Sequence, residues 1–256
     1  MNFLELFKKP DLIAAHRGDR SQEPENTLSA LRSAIGKCDF IEIDVQLTKD
    51  LVPVIIHDDT LGRTSNVSEI ETFADRSPWK VSEFSFEELQ SFDFGSWFDQ
   101  KPEPVLTLEK ALSFAKEQDL FLNVEIKDMS YIFADDIVVE IIINMIKKTQ
   151  TEHLVLLSSF YHQYLLTCKK ISPSIPTAAL QMYKHPNHLV NYLHTLQVDA
   201  YHPDDKITDK KIVSDVKKAG FFINVFTVND LERKEQLFEW GGQWCFYRSF
   251  RTMNTN

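Results

Sequence analysis

The residues in this chain best suited to acid–base, metal or phosphate chemistry stand at the ends of apolar runs, where a purely packing strand has no use for charge. AAHRGDRSQEPENTLSAL (14–31) puts His16 and Arg17 after one run, and FIEIDVQLTKD (40–50) sets Glu42 and Asp44 inside another. VPVIIHDD (52–59) ends in His57 and Asp58, and FLNVEIKD (121–128) carries Glu125 and Lys127. Two-residue spacing puts Glu42 and Asp44 on one face of a strand. Like charges that close repel unless a cation lies between them, and Glu125 supplies a third oxygen ligand. A set made only of carboxylates suits a hard divalent cation, Mg²⁺ or Ca²⁺, better than zinc. The competing reading is a set of buried ion pairs, with Lys127 on the same face as Glu125 as the ready partner.

His16 and His57 each follow a strand beside a charged neighbour. One such histidine alone reads as a structural hydrogen-bonding residue. Two of them near a carboxylate cluster can supply the base and the acid of a phosphoryl transfer near neutral pH. Arg17 and Lys127 would then hold phosphate oxygens, Arg17 through two parallel hydrogen bonds; otherwise they balance charge among the carboxylates.

Positioning such groups requires a scaffold that brings several strand ends together. Short β-branched runs recur at 12–15, 40–45, 52–56, 120–126, 153–159, 176–180, 197–201 and 221–228. Helical spacing fits 27–36, 107–118, 135–149 and 208–220, with Gly36 and Gly220 as closing residues. This alternation predicts an α/β fold, a (β/α)8 TIM barrel, in which functional residues gather at the C-terminal ends of the strands. No GxGxxG or P-loop pattern occurs, which weakens nucleotide-binding readings. Polar residues 58–104, with Pro78, Trp79, Gly95 and Trp97, interrupt the alternation. They predict a small insertion after the second or third strand, capping the site within a single domain spanning 1–256.

Composition narrows the class further. With 256 residues, 43% hydrophobic and 26% charged, the chain is long enough for one large domain and is not a disordered or fibrous protein. A formal charge of −10 argues against general nucleic-acid binding. No apolar run is long enough to cross a membrane, and the N-terminus does not read as a secretory signal, so stable membrane insertion is not expected and a cytoplasmic location is. Cys38, Cys168 and Cys245 are too few and too far apart for a zinc site or a disulfide framework and are expected to be packing residues.

The combination HRG, PENT, IEIDVQLTKD, VIIHDDTLGRTS, VEIK and VFTVND, in that order, resembles the glycerophosphodiester phosphodiesterase family. The likeness covers most of the chain, including TLEKAL, SSF (158–160) and HP (202–203). It implies a metal-binding barrel, with an insertion after the second histidine, that hydrolyses a glycerophosphodiester such as glycerophosphocholine or glycerophosphoethanolamine to sn-glycerol 3-phosphate and an alcohol. By position, His16 and His57 resemble the acid–base pair, Glu42, Asp44 and Glu125 the metal ligands, and Arg17 and Lys127 the phosphate contacts. Glu25, Asn26 and Thr27 match ENT: Glu25 and Asn26 are candidates to hold the site residues in place, Glu25 by orienting Arg17 or a histidine, while the alternative for Asn26 or Thr27 is to cap the next helix. Asp50 reads as a turn residue. Phe160, Tyr161, Tyr201 and Phe226 are candidates for lining the substrate pocket or for packing.

The resemblance lapses after LFEWG, where a last strand of the type GVDGIFTDRP is expected and GQWCFYRSFRTMNTN stands. Gln-Trp-Cys-Phe-Tyr-Arg-Ser-Phe can be encoded so that a one-base shift reads Asn-Gly-Val-Phe-Thr-Asp-Arg, which points to a frameshift in the gene near Gly242; the alternative is a divergent strand that still closes the barrel. Two further functional readings remain beside the diesterase. One is a phospholipase D-like or phosphoinositide-specific phospholipase C-like barrel acting on lipids, which predicts an exposed apolar or basic loop. The other is a barrel that binds phosphodiesters without turnover.

Overall fold

The computed structural model describes residues 1–228, 230–242 and, for the backbone, 244–247. The apolar runs become strands β1 (Leu12–His16), β2 (Phe40–Leu47), β3 (Pro53–Ile55), β4 (Phe121–Ile126), β5 (Val155–Ser159), β6 (Thr177–Gln181), β7 (Ala200–Pro203), β8 (Phe222–Val225) and β9 (Trp244–Tyr247). Between them lie α1 (Phe3–Leu6), α2 (Leu28–Ser33), α3 (Phe86–Leu89), α4 (Ser96–Asp99), α5 (Leu108–Gln118), α6 (Asp135–Thr149), α7 (His162–Ile171), α8 (Leu189–Leu196), α9 (Lys210–Lys218) and α10 (Leu231–Glu239). The sheet order is β1-β9-β8-β7-β6-β5-β4-β2-β3, and β1 also pairs with β2. Apart from β3, every neighbouring pair is parallel, so the sheet curls until its first strand meets both its second and its last.

One anticipated barrel strand has another role. The run at 52–56 forms β3, which pairs antiparallel with β2 through Val45–Ile55 and Leu47–Pro53. Only Thr48–Val52 separate the two strands, a length that permits a hairpin return and not a helical crossover. The ring is completed instead by β9, whose backbone runs parallel between β8 and β1. The side chains of 243–247, Cys245 among them, and the placement of 248–256 lie outside the described residues, and with them the reading-frame expectation.

Packing explains why the ring holds. Outward-facing Ile41, Ile43, Val124, Leu122, Val155 and Leu157 meet the apolar stripes of α5 and α6, including Leu108, Leu112, Val139, Ile142 and Ile146. The N-terminal end of the ring is closed by α1, whose Phe3, Leu6 and Phe7 bury against Leu12, Phe40, Phe121 and Leu156. Asn2 and Glu5 form a reciprocal cap on that short helix. Each such aromatic or leucine side chain contributes about 1.5–3 kcal/mol by leaving water. With that end filled, open space remains at the C-terminal end.

Residues 58–104 follow β3 as short 3₁₀ turns and the helices α3 and α4. They enclose their own apolar cluster of Leu61, Val67, Val81, Phe84, Leu89, Phe92 and Phe94, joined by Val54 and Ile56. Asp50 fastens the segment to the barrel: its carboxylate accepts from Thr48 Oγ1 at 2.6 Å and from the Phe86 amide at 2.9 Å. Cys38 and Cys168 are free thiols, and burial pushes both pKa values up to about 12, as suits packing residues.

Candidate active site

Strand register assembles the site. His16 on β1 aligns with Glu42 on β2, Glu42 with Asn123 on β4, and Asp44 with Glu125. Because alternate residues of a strand share a face, this register gathers the polar groups from three neighbouring strands on the inner surface. A cleft of about 250 Å³ opens there, lined by His16, Arg17, Glu42, His57, Asn123 and Glu125, with Phe160, Leu180, Met182 and Phe226 on its apolar side.

The turn after β1 aims Arg17 into the cluster. Arg17 has φ 60° and Gly18 φ 78°, and a Cβ on Gly18 would lie 2.7 Å from the Ala30 carbonyl carbon of α2. Glycine is therefore required where the turn meets the helix. The Arg17 amide donates to Glu42 Oε2 at 3.0 Å, its Nη1 to Glu25 Oε1 at 2.8 Å, and its Nε lies 3.4 Å from Asp44 Oδ2. Burial works against the guanidinium charge, but Asp44, Glu25 and Glu42 together hold its pKa above the ordinary value. Glu25 also meets Arg20 at 2.7 Å and Arg63 at 2.6 Å. Although burial would raise the Glu25 pKa, Arg63, Arg17 and Arg20 lower it, leaving a fixed anion.

Asn26 and Thr27 divide the two roles anticipated for them. Thr27 caps α2, accepting from the Ala30 amide, while Asn26, at φ 59°, turns inward and donates from Nδ2 to Asp44 Oδ2 at 2.8 Å. Lys127 donates to Glu125 Oε1 at 2.6 Å and lies 3.5 Å from Asp44 Oδ1. The ion pair expected of Glu125 is thus present, but it does not neutralise the cluster.

Glu42, Asp44 and Glu125 are all buried, and one oxygen from each lies within 4.8 Å of the others. Asp44 draws on Lys127, Arg17, His57 and Asn26, which outweigh burial and lower its pKa. Glu42 is left with little compensation: burial, then Asp44 and Glu125, push its pKa well above the usual carboxylate range, and its Oε1 meets no hydrogen-bond partner among the described residues. Three buried oxygen donors with excess negative charge and an orphaned lone pair fit a hard divalent cation.

His57 Nδ1 bonds Asp58 Oδ1 at 2.6 Å, while Arg63 Nε holds Asp58 Oδ2 at 2.5 Å. Burial tends to raise the Asp58 pKa, yet Arg63 and His57 bring it down to about 2. Asp58 therefore stays ionised and fixes the ring, leaving Nε2 as the nitrogen not committed to Asp58. His16 Nε2 lies 3.8 Å from Glu42 Oε2.

Of the four aromatic candidates, Phe160 and Phe226 line the cleft, edge to face at 5.7 Å between centroids. Tyr161 packs on Tyr164 and donates to Asp135, and Tyr201 is buried with its hydroxyl 2.8 Å from His185 Nδ1, so neither lines the cleft. Sequence reasoning missed Arg20, Arg63 and Asn123. The run HDDTLGRTS carried the signal for Arg63, a basic residue five positions beyond the acidic neighbour of His57.

Comparison with known proteins bears on the family and the fold. The model of the glycerophosphoryl diester phosphodiesterase family matches residues 16–248. The chain is 33% identical over 237 residues to a glycerophosphodiester phosphodiesterase of Caldanaerobacter subterraneus subsp. tengcongensis, covering 90% of each chain. It is 34% identical over 226 residues to one from Bacillus altitudinis, covering 85% of this chain and 86% of that one. Among solved structures, an Oleispira antarctica phosphodiesterase in complex with the product sn-glycerol-3-phosphate superimposes with a TM-score of 0.83 at 27% identity, covering 95% of each chain.

Proposed function

This chain belongs to the glycerophosphoryl diester phosphodiesterase family, and on that premise we propose that it hydrolyses glycerophosphodiesters, such as glycerophosphocholine or glycerophosphoethanolamine, to sn-glycerol 3-phosphate and an alcohol. The observation that carries the reading is a cleft lined by two histidines, Arg17, Glu42 and Glu125, with Asp44 and Lys127 within ion-pair distance of those groups. In this reading the phosphate lies against Arg17 and Lys127, held by charge and by the fixed guanidinium fork. Glu42, Asp44 and Glu125 hold Mg²⁺ or Ca²⁺. That cation, when bound, offsets charge on the phosphoryl group and acidifies a nearby glycerol hydroxyl.

One histidine removes the proton of that hydroxyl as its oxygen attacks phosphorus, and the bond from phosphorus to the leaving oxygen breaks. The second histidine gives that oxygen a proton, so the alcohol departs neutral and a cyclic glycerol phosphate remains. Water then opens the ring with the histidines exchanging roles, which returns both to their starting protonation. Asp58 keeps the His57 ring oriented throughout, and Glu25 and Asn26 hold Arg17 and Asp44 in place.

A specific observation favours a second reading. Tyr131 and Ile132 follow β4, and Met182 and Tyr183 follow β6; all four are exposed, Tyr183 to 86%, and Met182 lines the cleft. Apolar loops at this end of the barrel suit a lysophospholipid, whose acyl chain would lie across them. Release of glycerol 3-phosphate from glycerophosphocholine, assayed with chelator, Mg²⁺ or Ca²⁺ and with His16→Ala and Glu42→Ala, tests the first reading. Activity lost with chelator and with each substitution supports it; faster cleavage of lysophosphatidylcholine than of glycerophosphocholine favours the second.

A further inference from the structure

Asn123 occupies the floor of the cleft and is 1% exposed, yet neither its Nδ2 nor its Oδ1 meets a hydrogen-bond partner among the described residues. Burying an amide without partners costs free energy, so a side chain kept in that state has work to do there. Its neighbours limit what that work is. Glu42 stands opposite on β2, with its own Oε1 unpartnered, and Glu125 follows two positions along the same face of β4. In the diesterase reading the anionic phosphate is drawn by Arg17, Lys127 and the cation held among the carboxylates, which leaves a neutral part of the substrate to meet the amide. A neutral hydroxyl, both donor and acceptor, matches an amide that offers one of each beside a carboxylate acceptor.

We propose that Asn123 is a specificity-determining residue whose amide binds a hydroxyl of the glycerol moiety, so that the cleft selects phosphates of polyols over those of simple alcohols. The inference rests on the diesterase reading. A site built to bond a hydroxyl rejects a ligand lacking it because its own buried groups then stay unpaired. Asn123 thus provides discrimination, while Arg17, Lys127 and the histidines provide phosphate binding and chemistry.

The test measures, by calorimetry in the presence of Mg²⁺, the affinities of sn-glycerol 3-phosphate and of propyl phosphate, which has the same anionic group and no free carbon-borne hydroxyl. Wild type should prefer glycerol 3-phosphate, and Asn123→Leu should shrink that preference by about tenfold, chiefly by weakening glycerol 3-phosphate. Asn123→Ala, which also lacks the amide, should read the same loss should the leucine variant fail to fold. The melting temperature of Asn123→Leu should hold or rise, because an orphaned buried amide is removed; an amide with a merely structural role would lower it. The inference is overturned by a variant that keeps the wild-type preference, or by one that loses Mg²⁺ affinity while keeping it, which would make Asn123 a cation ligand. Wild type that binds both phosphates equally also overturns it. Failure of wild type to bind either phosphate would overturn the diesterase reading, and this inference with it.

Discussion

Asn26 Nδ2 donates to Asp44 Oδ2 at 2.8 Å, tying the left-handed turn after the first strand to the middle of the second. The bond joins two demands on one residue: a backbone at φ 59° and a short amide that reaches the carboxylate. Replacing Asn26 with glycine keeps the backbone and loses the amide, whereas alanine loses both. Urea denaturation should therefore show Asn26→Ala less stable than Asn26→Gly by about 1 kcal/mol. Both variants should lose activity, because Asp44 is released in each. Equal stability would show that the turn places no demand on the backbone.

Gly18→Ala should be among the most damaging single-methyl changes in the chain. The added carbon would meet the backbone of Ala30 at 2.7 Å in a conformation that L-residues rarely adopt. A loss of about 2–4 kcal/mol is expected in denaturant unfolding, together with loss of activity as Arg17 is displaced.

Glu42→Gln separates stability from function. The variant removes one of three buried like charges, so without divalent cation it should melt at or above the wild-type temperature. Adding Mg²⁺ or Ca²⁺ should raise the wild-type melting temperature and leave the variant nearly unmoved, with activity abolished. A variant stabilised by the cation as strongly as wild type would remove Glu42 from the cation site.

Asp58→Asn should lower kcat by about 10–100-fold with a smaller change in KM, since it takes the orienting anion from His57 while leaving phosphate binding to Arg17 and Lys127. Steady-state kinetics on glycerophosphocholine checks the split. An unchanged kcat would show that the His57 ring needs no partner.

Arg63→Met provides the pH test. Arg63 reaches both Glu25 and Asp58, whose folded-state pKa values lie below their ordinary ones, Asp58 at about 2. A carboxylate with a depressed folded pKa adds stability that is present above its unfolded pKa and lost as pH falls through the folded one. Since Arg63 is partly exposed and screened, the variant should cost about 1 kcal/mol at pH 7. That gap should narrow as pH falls from about 4.5 towards 2. A gap independent of pH would mean that Arg63 acts through packing alone.

By itself, the sequence determined the α/β class, the strand ends that carry charge and the choice of His16, Glu42, Asp44, His57 and Glu125 as site candidates, because strand periodicity and residue type are local properties. It also anticipated helices such as Asp135–Thr149 to the residue, where an amphipathic stripe is long and ends in lysines. Only the tertiary structure decided that the run at 52–56 folds back antiparallel and that Trp244–Tyr247 completes the ring, since closure depends on which strands meet across the whole chain. Asn123 was out of reach of local pattern, and Arg63 was signalled only by its place in HDDTLGRTS. An asparagine within an apolar strand looks unremarkable until register sets it beside Glu42, and an arginine on a polar loop looks solvated until the fold brings Glu25 and Asp58 to it. Partnership between residues tens of positions apart is set by register and packing, and these exist only once the chain has closed.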